Sequence, residues 1–161
     1  LRLRVGTGDA AGHNMATAVA ERVCEALLRE ESGLQYVALS ANTCTDKKVS
    51  AVNGILGRGK STVAEAVIPG ALCTSMLHCT AAQLADLHVK KNLLGSIVAG
   101  SLRSANAHAA NMLLAFYLAT GQDAANIVEG SQAITHAETR DDSLYISVSL
   151  PSLVLRVTGA G

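Results

Sequence analysis

The run Ala107-His108-Ala109-Ala110-Asn111-Met112-Leu113-Leu114-Ala115-Phe116 is apolar almost all round when wound into a helix. A helix without a polar face must be buried on every side. Whatever else this chain forms therefore has to pack around residues 104–120, with Gly121 as the natural C-terminal stop. The two polar residues of the run, His108 and Asn111, are three apart and share one face. Left unpartnered in a core, each would cost about 1–3 kcal/mol. They belong either to a core hydrogen-bond network or to a polar site that the central helix reaches.

Around that helix the patterning mixes strands and helices. Residues 1–5 alternate with period two and predict a strand, which runs into the glycine-rich turn Gly6-Thr7-Gly8-Asp9-Ala10-Ala11-Gly12-His13-Asn14. Met15, Val19, Val23 and Leu27 then recur every fourth residue, predicting an amphipathic helix that ends near Ser32-Gly33. A short strand over 34–39, a polar segment over 40–48 and a helix through Leu56 follow. Residues 61–68 are β-branched and stopped by Pro69-Gly70, a strand, while 71–100 look helical in two pieces divided near Thr80. Two further strands, 133–138 and 144–150, are joined by the turn Arg140-Asp141-Asp142-Ser143. The fold class is α+β.

Composition narrows the functions. With 161 residues, 49% of them apolar, the chain can bury a core and make one ordinary domain or pieces of two. Zero formal net charge, no cluster of Lys and Arg, and 2% aromatic residues exclude a nucleic-acid binder. Cys24, Cys44, Cys73 and Cys79 lack zinc-ligand spacing and a disulfide framework, so they read as small buried hydrophobes and no metal site is expected. Every candidate membrane span is interrupted by polar residues, and no signal-peptide pattern opens the chain. These residues should be soluble and make no membrane contact. A start at Leu1 and a stop at Gly161 after an apolar alternation suggest a piece of a longer protein.

Four constellations could carry chemistry. Gly6-x-Gly8-x-x-x-Gly12 between a strand and a helix start suits a pyrophosphate, or is an ordinary strand-to-helix turn. The following strand ends in Ser40 rather than an acid, which suits a phosphorylated dinucleotide better than NAD. Gly54-Ile55-Leu56-Gly57-Arg58-Gly59-Lys60-Ser61 matches the phosphate-binding loop letter for letter and leaves a nucleotide triphosphatase as an alternative. That loop needs a buried strand before it and a helix after it, and the flanking residues favour neither. Asp46-Lys47-Lys48 is expected at a helix N-terminus, with Thr45 or Asp46 as the cap. Two lysines there oppose the helix dipole, unless an anion or an oxygen gaining negative charge binds between them; a solvated charged turn is the plain alternative. Asp123 could cap a helix over 124–128 or, beside a lysine, form a charge-coupled pair that controls a proton.

Taken together the segments resemble one family, the 3-hydroxy-3-methylglutaryl-coenzyme A (HMG-CoA) reductases of the class that includes the eukaryotic and archaeal enzymes. The runs that carry the resemblance include Gly8-Asp9-Ala10-Ala11-Gly12-His13-Asn14-Met15, Asn42-Thr43-Cys44-Thr45-Asp46-Lys47-Lys48 and Gly57-Arg58-Gly59-Lys60-Ser61. Glu65-Ala66-Val67-Ile68-Pro69, Lys91-Asn92-Leu93-Leu94-Gly95-Ser96, Asn106-Ala107-His108-Ala109-Ala110-Asn111, Gly121-Gln122-Asp123-Ala124-Ala125 and Leu144-Tyr145-Ile146-Ser147 follow in the family's order.

The resemblance implies NADPH-dependent reduction of HMG-CoA to mevalonate and free CoA by two hydride transfers, in the mevalonate pathway to isoprenoid and sterol precursors. It implies that Lys47 polarises the thioester and then the aldehyde carbonyl, and that Asp123 is the buried acid that hydrogen-bonds this lysine. Ser40, Asn42, Asp46 and Lys48 would hold the hydroxymethylglutaryl end, with Lys48 on its free carboxylate, and His108 and Asn111 would face the substrate. Asp9, Gly12, His13, Asn14 and Met15 would form the cofactor loop. Residues 1–38 would close a small ferredoxin-like NADP-binding domain, 39–50 the substrate loop, and 51–161 part of a large substrate and CoA domain around the buried helix. The family's catalytic glutamate and histidine fall outside these residues. The resemblance implies a homodimer or homotetramer with sites shared between subunits, in which the isolated piece would be inactive. The parent would be either an endoplasmic-reticulum-anchored enzyme with a cytosolic catalytic domain or a soluble one. A non-catalytic core domain is the remaining alternative. Two places depart from the family pattern: Ala11 and His13 stand where many members carry methionines, and Arg156-Val157-Thr158-Gly159-Ala160-Gly161 replaces a Gly-Thr-Val-Gly-Gly-Gly run.

Overall fold

A computed structural model describes residues 1–10 and 12–156; Ala11 and the departure over 157–161 lie outside the described residues. Three antiparallel strands organise it: β1 (Lys60–Ile68), β2 (Ile134–Arg140) and β3 (Ser143–Leu153), in the order β1-β3-β2. The hairpin β2–β3 turns at Asp141-Asp142 between the paired Arg140 and Ser143, and Asp141 takes the left-handed conformation (φ 52°) that short Asp side chains tolerate. β1 lies on the other side of β3, with Ile68 opposite Leu144 and Thr62 opposite Leu150. Strands expected over 61–68, 133–138 and 144–150 are thus present within a few residues.

The helices are α1 (His13–Glu30), α2 (Ala51–Leu56), α3 (Gly70–Leu77), α4 (Ala81–Leu87), α5 (Gly95–Val98), α6 (Ala109–Ala119) and α7 (Ile127–Gly130). The division near Thr80 is real: its side chain caps α4 and Gln83 reaches back to the Thr80 N–H, a reciprocal capping box. Between α4 and α5 the chain widens into a π-helical segment, His88–Leu94. Two small cores rest on β3. Cys73, Ala81, Ala137 and Leu144 gather near its first residue, with Ile68, Leu84 and Ala85 packed against them. Leu113, Tyr117 and Leu153 gather at its end, with Ile127 and Leu155.

Several expectations are corrected. The predicted strands over 1–5 and 34–39 do not form; neither finds a ladder partner among the described residues, and a lone strand has no hydrogen bonds to hold it. Residues 1–5 and 38–41 instead border an open cleft of about 620 Å³ beside Ala16, Thr17, Ala20 and Cys24 of α1. A ferredoxin-like arrangement is therefore not seen over 1–38. The central helix is not buried on every side: α6 buries Leu113 and Tyr117, while Met112 (73% exposed) and Leu118 (64%) face outward. One face meets the second core, while Met112 and Phe116 border an open apolar groove against Val148 and Leu150 of β3. Only Cys73 of the four cysteines is buried, and Cys44 is exposed.

The phosphate-loop alternative fails on context. The motif runs from the last turn of helix α2, which holds Gly54 to Leu56, into strand β1, which starts at Lys60, the reverse of the strand-then-helix order a phosphate loop needs. Its glycines serve the sheet: with φ of 73° and 74°, Gly57 and Gly59 bring the backbone so close to β3 that a Cβ would lie 2.5 Å from the Pro151 carbonyl and 2.7 Å from that of Leu153.

Candidate active site

The loop that carries the two lysines is shaped before any helix begins. The helix cap is Ser50, whose Oγ accepts the Asn53 N–H at 3.1 Å, not Thr45 or Asp46. Lys47 and Lys48 therefore precede α2 rather than occupying its first turn, and the dipole argument does not apply to them. Buried Asn53 fixes the loop, its Nδ2 donating at 2.8 Å to the carbonyls of both Thr45 and Lys48. Ser152 of β3 holds Asn53 in turn through its carbonyl at 2.8 Å. Between those anchors Lys47 takes a left-handed φ of 53°, costly for a residue of that kind and retained because the surroundings enforce it. Its Nζ then reaches Asp123 Oδ2 at 2.8 Å.

Asp123 also caps the short 3₁₀ turn Ala124–Asn126 by accepting the Ala125 N–H at 3.0 Å, so it is at once a cap and the partner of a lysine. It is half-buried rather than buried, with 24% of its side chain exposed. The Lys47 hydrogen bond holds its carboxyl below the usual carboxylate range, against the opposing effect of burial; the Ala125 N–H and the charges of Lys47 and Arg156 add to the lowering.

From this pair a chain of polar contacts runs through the domain. Arg156 Nη2 lies 3.4 Å from Asp123 Oδ2 and donates to His13 Nδ1 at 3.1 Å. His13 Nε2 faces Asp46 Oδ2 at 3.9 Å. Asp46 Oδ1 accepts from Arg58 at 2.7 Å and from Asn126 at 3.2 Å. Arg58 and Asn126 both donate to Glu129 Oε1, at 3.3 and 2.8 Å, and Glu129 is fully buried. Three cations (Lys47, Arg58, Arg156) meet three carboxylate side chains (Asp46, Asp123, Glu129) in one balanced cluster.

The other expected residues sit at varying distance from it. Lys48 Nζ reaches only the Asp46 carbonyl, at 3.2 Å, and Cys44 Sγ, at 3.8 Å, and among the described residues no carboxylate pairs with it. Ser40 and Asn42 are exposed, joined by the Asn42 N–H to Ser40 Oγ at 3.3 Å. Asp9 and His13 line a cavity of about 220 Å³ with Thr7, Gly8, Arg58 and Lys60, and Asp9 approaches Lys60 at 3.7 Å. Gly12, at φ 68°, is the N-cap of α1 and gives it no side-chain bond; Asn14 and Met15 occupy the first turn and are exposed. His108 and Asn111 pair with each other at 3.3 Å at the start of α6, exposed, and no hydrogen bond among the described residues links them to Lys47 or Asp123.

Sequence reasoning missed Glu129, Asn126 and Gln132. Gln132 Nε2 donates to the carbonyls of Ser50, at 3.1 Å, and Leu102, at 3.0 Å. The one available signal was the i, i+3 spacing of Asn126 and Glu129 in an otherwise apolar stretch.

The whole chain, residues 1–161, matches the family model described as hydroxymethylglutaryl-coenzyme A reductase. It is 50% identical over 162 residues to the 3-hydroxy-3-methylglutaryl-coenzyme A reductase of Aeropyrum pernix, covering 100% of this chain and 38% of that protein. The enzyme of the same name from Haloferax volcanii is 48% identical over 161 residues, covering 100% of this chain and 40% of the relative. The one from the fungus Phycomyces blakesleeanus is 47% identical over 163 residues, covering 100% and 14%. The chain spans about two fifths of the length of the archaeal relatives.

Proposed function

The chain belongs to the hydroxymethylglutaryl-coenzyme A reductase family, and on that premise we propose that it supplies the central part of a site that reduces HMG-CoA to mevalonate and free CoA with NADPH. The observation that carries this reading is Lys47, held in a left-handed turn and paired with Asp123 at 2.8 Å. An ammonium has three donors. Asp123 takes one and fixes the head, leaving the others for a carbonyl oxygen. Such a preset charge stabilises oxygen as it turns negative, which is what hydride addition to a thioester and then to an aldehyde requires. Lys48, without a carboxylate partner among the described residues, suits the free carboxylate of the substrate. Ser40, Asn42 and Asp46 complete that end, and His108 and Asn111 are assigned to the substrate side.

The fit of a dinucleotide rests on the start of α1. Gly12, left-handed, leaves the first-turn N–H groups of α1 without a side-chain cap, and left-handed Gly8 borders the cavity that His13, Arg58 and Lys60 line. Such free N–H groups favour a pyrophosphate. Asp9, Gly12, His13, Asn14 and Met15 would hold the cofactor, which supplies the hydride when bound. Residues 1–38 would thus serve the cofactor, 39–50 the substrate and 51–161 the large domain, in a homodimer or homotetramer. Among the described residues no helix is long and apolar enough to cross a membrane.

The test is Lys47→Ala in the complete polypeptide that contains this segment. HMG-CoA-dependent loss of NADPH absorbance should vanish while the circular-dichroism spectrum stays unchanged; near-normal turnover refutes the role. A non-catalytic core domain predicts no such oxidation from the unsubstituted protein either.

A further inference from the structure

Arg156 is the most buried cation of the charged cluster, with 4% of its side chain exposed. Its main chain is clamped by the residue next to Asp123: the Arg156 N–H donates to Gln122 Oε1 at 2.8 Å and Gln122 Nε2 returns a bond to the Arg156 carbonyl at 3.1 Å. So held, a single guanidinium nitrogen faces Asp123 Oδ2 at 3.4 Å and His13 Nδ1 at 3.1 Å. His13 comes from the start of α1, 143 residues away in sequence. Because Nδ1 accepts, the neutral ring carries its proton on Nε2, the nitrogen that faces Asp46 at 3.9 Å.

We infer that Arg156 and His13 are positioning residues acting as one unit, which ties the loop before α1 to Asp123 and so sets the cofactor loop against the Lys47–Asp123 pair. The inference rests on the reductase reading for its kinetic consequences and on the geometry alone for the pairing. Arginine fits the task because the two N–H groups of that one nitrogen lie in the guanidinium plane at a fixed angle to each other, whereas lysine carries its charge on a flexible stem. A lysine at this position keeps positive charge near Asp123 but ends one bond short of Nη2, so it does not hold the imidazole as well.

The experiment is a double-mutant cycle in the complete reductase polypeptide, with His13→Ala, Arg156→Ala and both, measuring KM for NADPH and kcat against pH. Each single change should raise the NADPH KM about tenfold, and the double variant should be no worse than Arg156→Ala alone. Arg156→Ala should also move the acid limb of kcat to higher pH, because Asp123 loses one of the charges that hold its proton off. Arg156→Lys should restore that limb but not the NADPH KM. Effects of the two single changes that multiply in the double variant overturn the proposal. Nitrogen-15 histidine spectra test the pairing without activity: Arg156→Ala should shift the His13 Nδ1 signal, and an unmoved signal also overturns it. If the unsubstituted enzyme fails to oxidise NADPH with HMG-CoA, the reductase reading falls, and the histidine spectrum still decides the pairing.

Discussion

Glu129 offers the sharpest test of how the site is held. Its side chain is fully buried, and Oε1 accepts from Arg58 at 3.3 Å and Asn126 at 2.8 Å. Removing one partner of a buried ion pair costs about 3–5 kcal/mol when the remaining charge is stranded. Here Arg58 is not stranded, since it keeps Asp46 at 2.7 Å and is 28% exposed. Asn126 likewise keeps Asp46 at 3.2 Å. That places Glu129→Ala at the low end of the range, about 3 kcal/mol. Glu129→Gln preserves the volume and the accepting oxygen, and its new N–H₂ group falls where Oε2 has no partner. It makes the Asn126 bond neutral and leaves the Arg58 bond charged on one side only, a loss of about 1–2 kcal/mol. Urea unfolding of the complete protein, followed by fluorescence and circular dichroism, should give the order wild type, Gln, Ala. An alanine variant within about 1 kcal/mol of wild type would refute the claim that this buried carboxylate anchors Arg58 and, through it, Asp46.

Gly130→Ala should destabilise by about 1–3 kcal/mol through overpacking, since a Cβ there would stand 2.6 Å from Leu113 Cδ2 and 3.2 Å from the Tyr117 hydroxyl; thermal unfolding checks it. Asp123→Asn should remove a stabilisation that is present above the ordinary carboxylate value of 3.8 and lost as pH falls through the lowered folded value, so the two proteins should converge in stability in acid. His88, lowered by burial and then by the neighbouring His136, is more readily protonated when unfolded, and stability should fall as pH drops below 6.5. His88→Gln should flatten that slope between about pH 7 and pH 5 in unfolding titrations.

What could be read from sequence was local. The four-residue recurrence of Met15, Val19, Val23 and Leu27 located α1, and the break between helices near Thr80 was legible too, though not its capping box with Gln83. Failures came where a long-range partner decides. The period-two run over 1–5 has strand pattern but no ladder, and α6 leaves Met112 and Leu118 largely exposed. The cap of α2 was misplaced because the left-handed turn at Lys47 is imposed by Asn53 and Ser152, the latter from β3. At the site, the pairing of Lys47 with Asp123 was implied by the family resemblance, not by any spacing between the two residues. The fixing of Asp46 by Arg58 and Asn126 could not be anticipated, because Asn126 lies 80 residues from Asp46 and nothing in their spacing joins them.

The zero net charge of the chain acquires a meaning at that site. Lys47, Arg58 and Arg156 are matched by Asp46, Asp123 and Glu129, so the cluster exerts little long-range pull on an anion. Its action is short-ranged: charges already oriented by their counter-charges need not reorganise when an oxygen nearby becomes negative. Lys48 differs, because it leans on a carbonyl and a thiol rather than a carboxylate. On the proposed reductase reading, Lys47 would respond to developing charge and Lys48 would take a charge already present. The distinction separates binding from turnover. Loss of Lys48 should fall mainly on the HMG-CoA KM, whereas loss of Lys47 should fall on kcat, since only an interaction that strengthens in the transition state raises the rate of the chemical step.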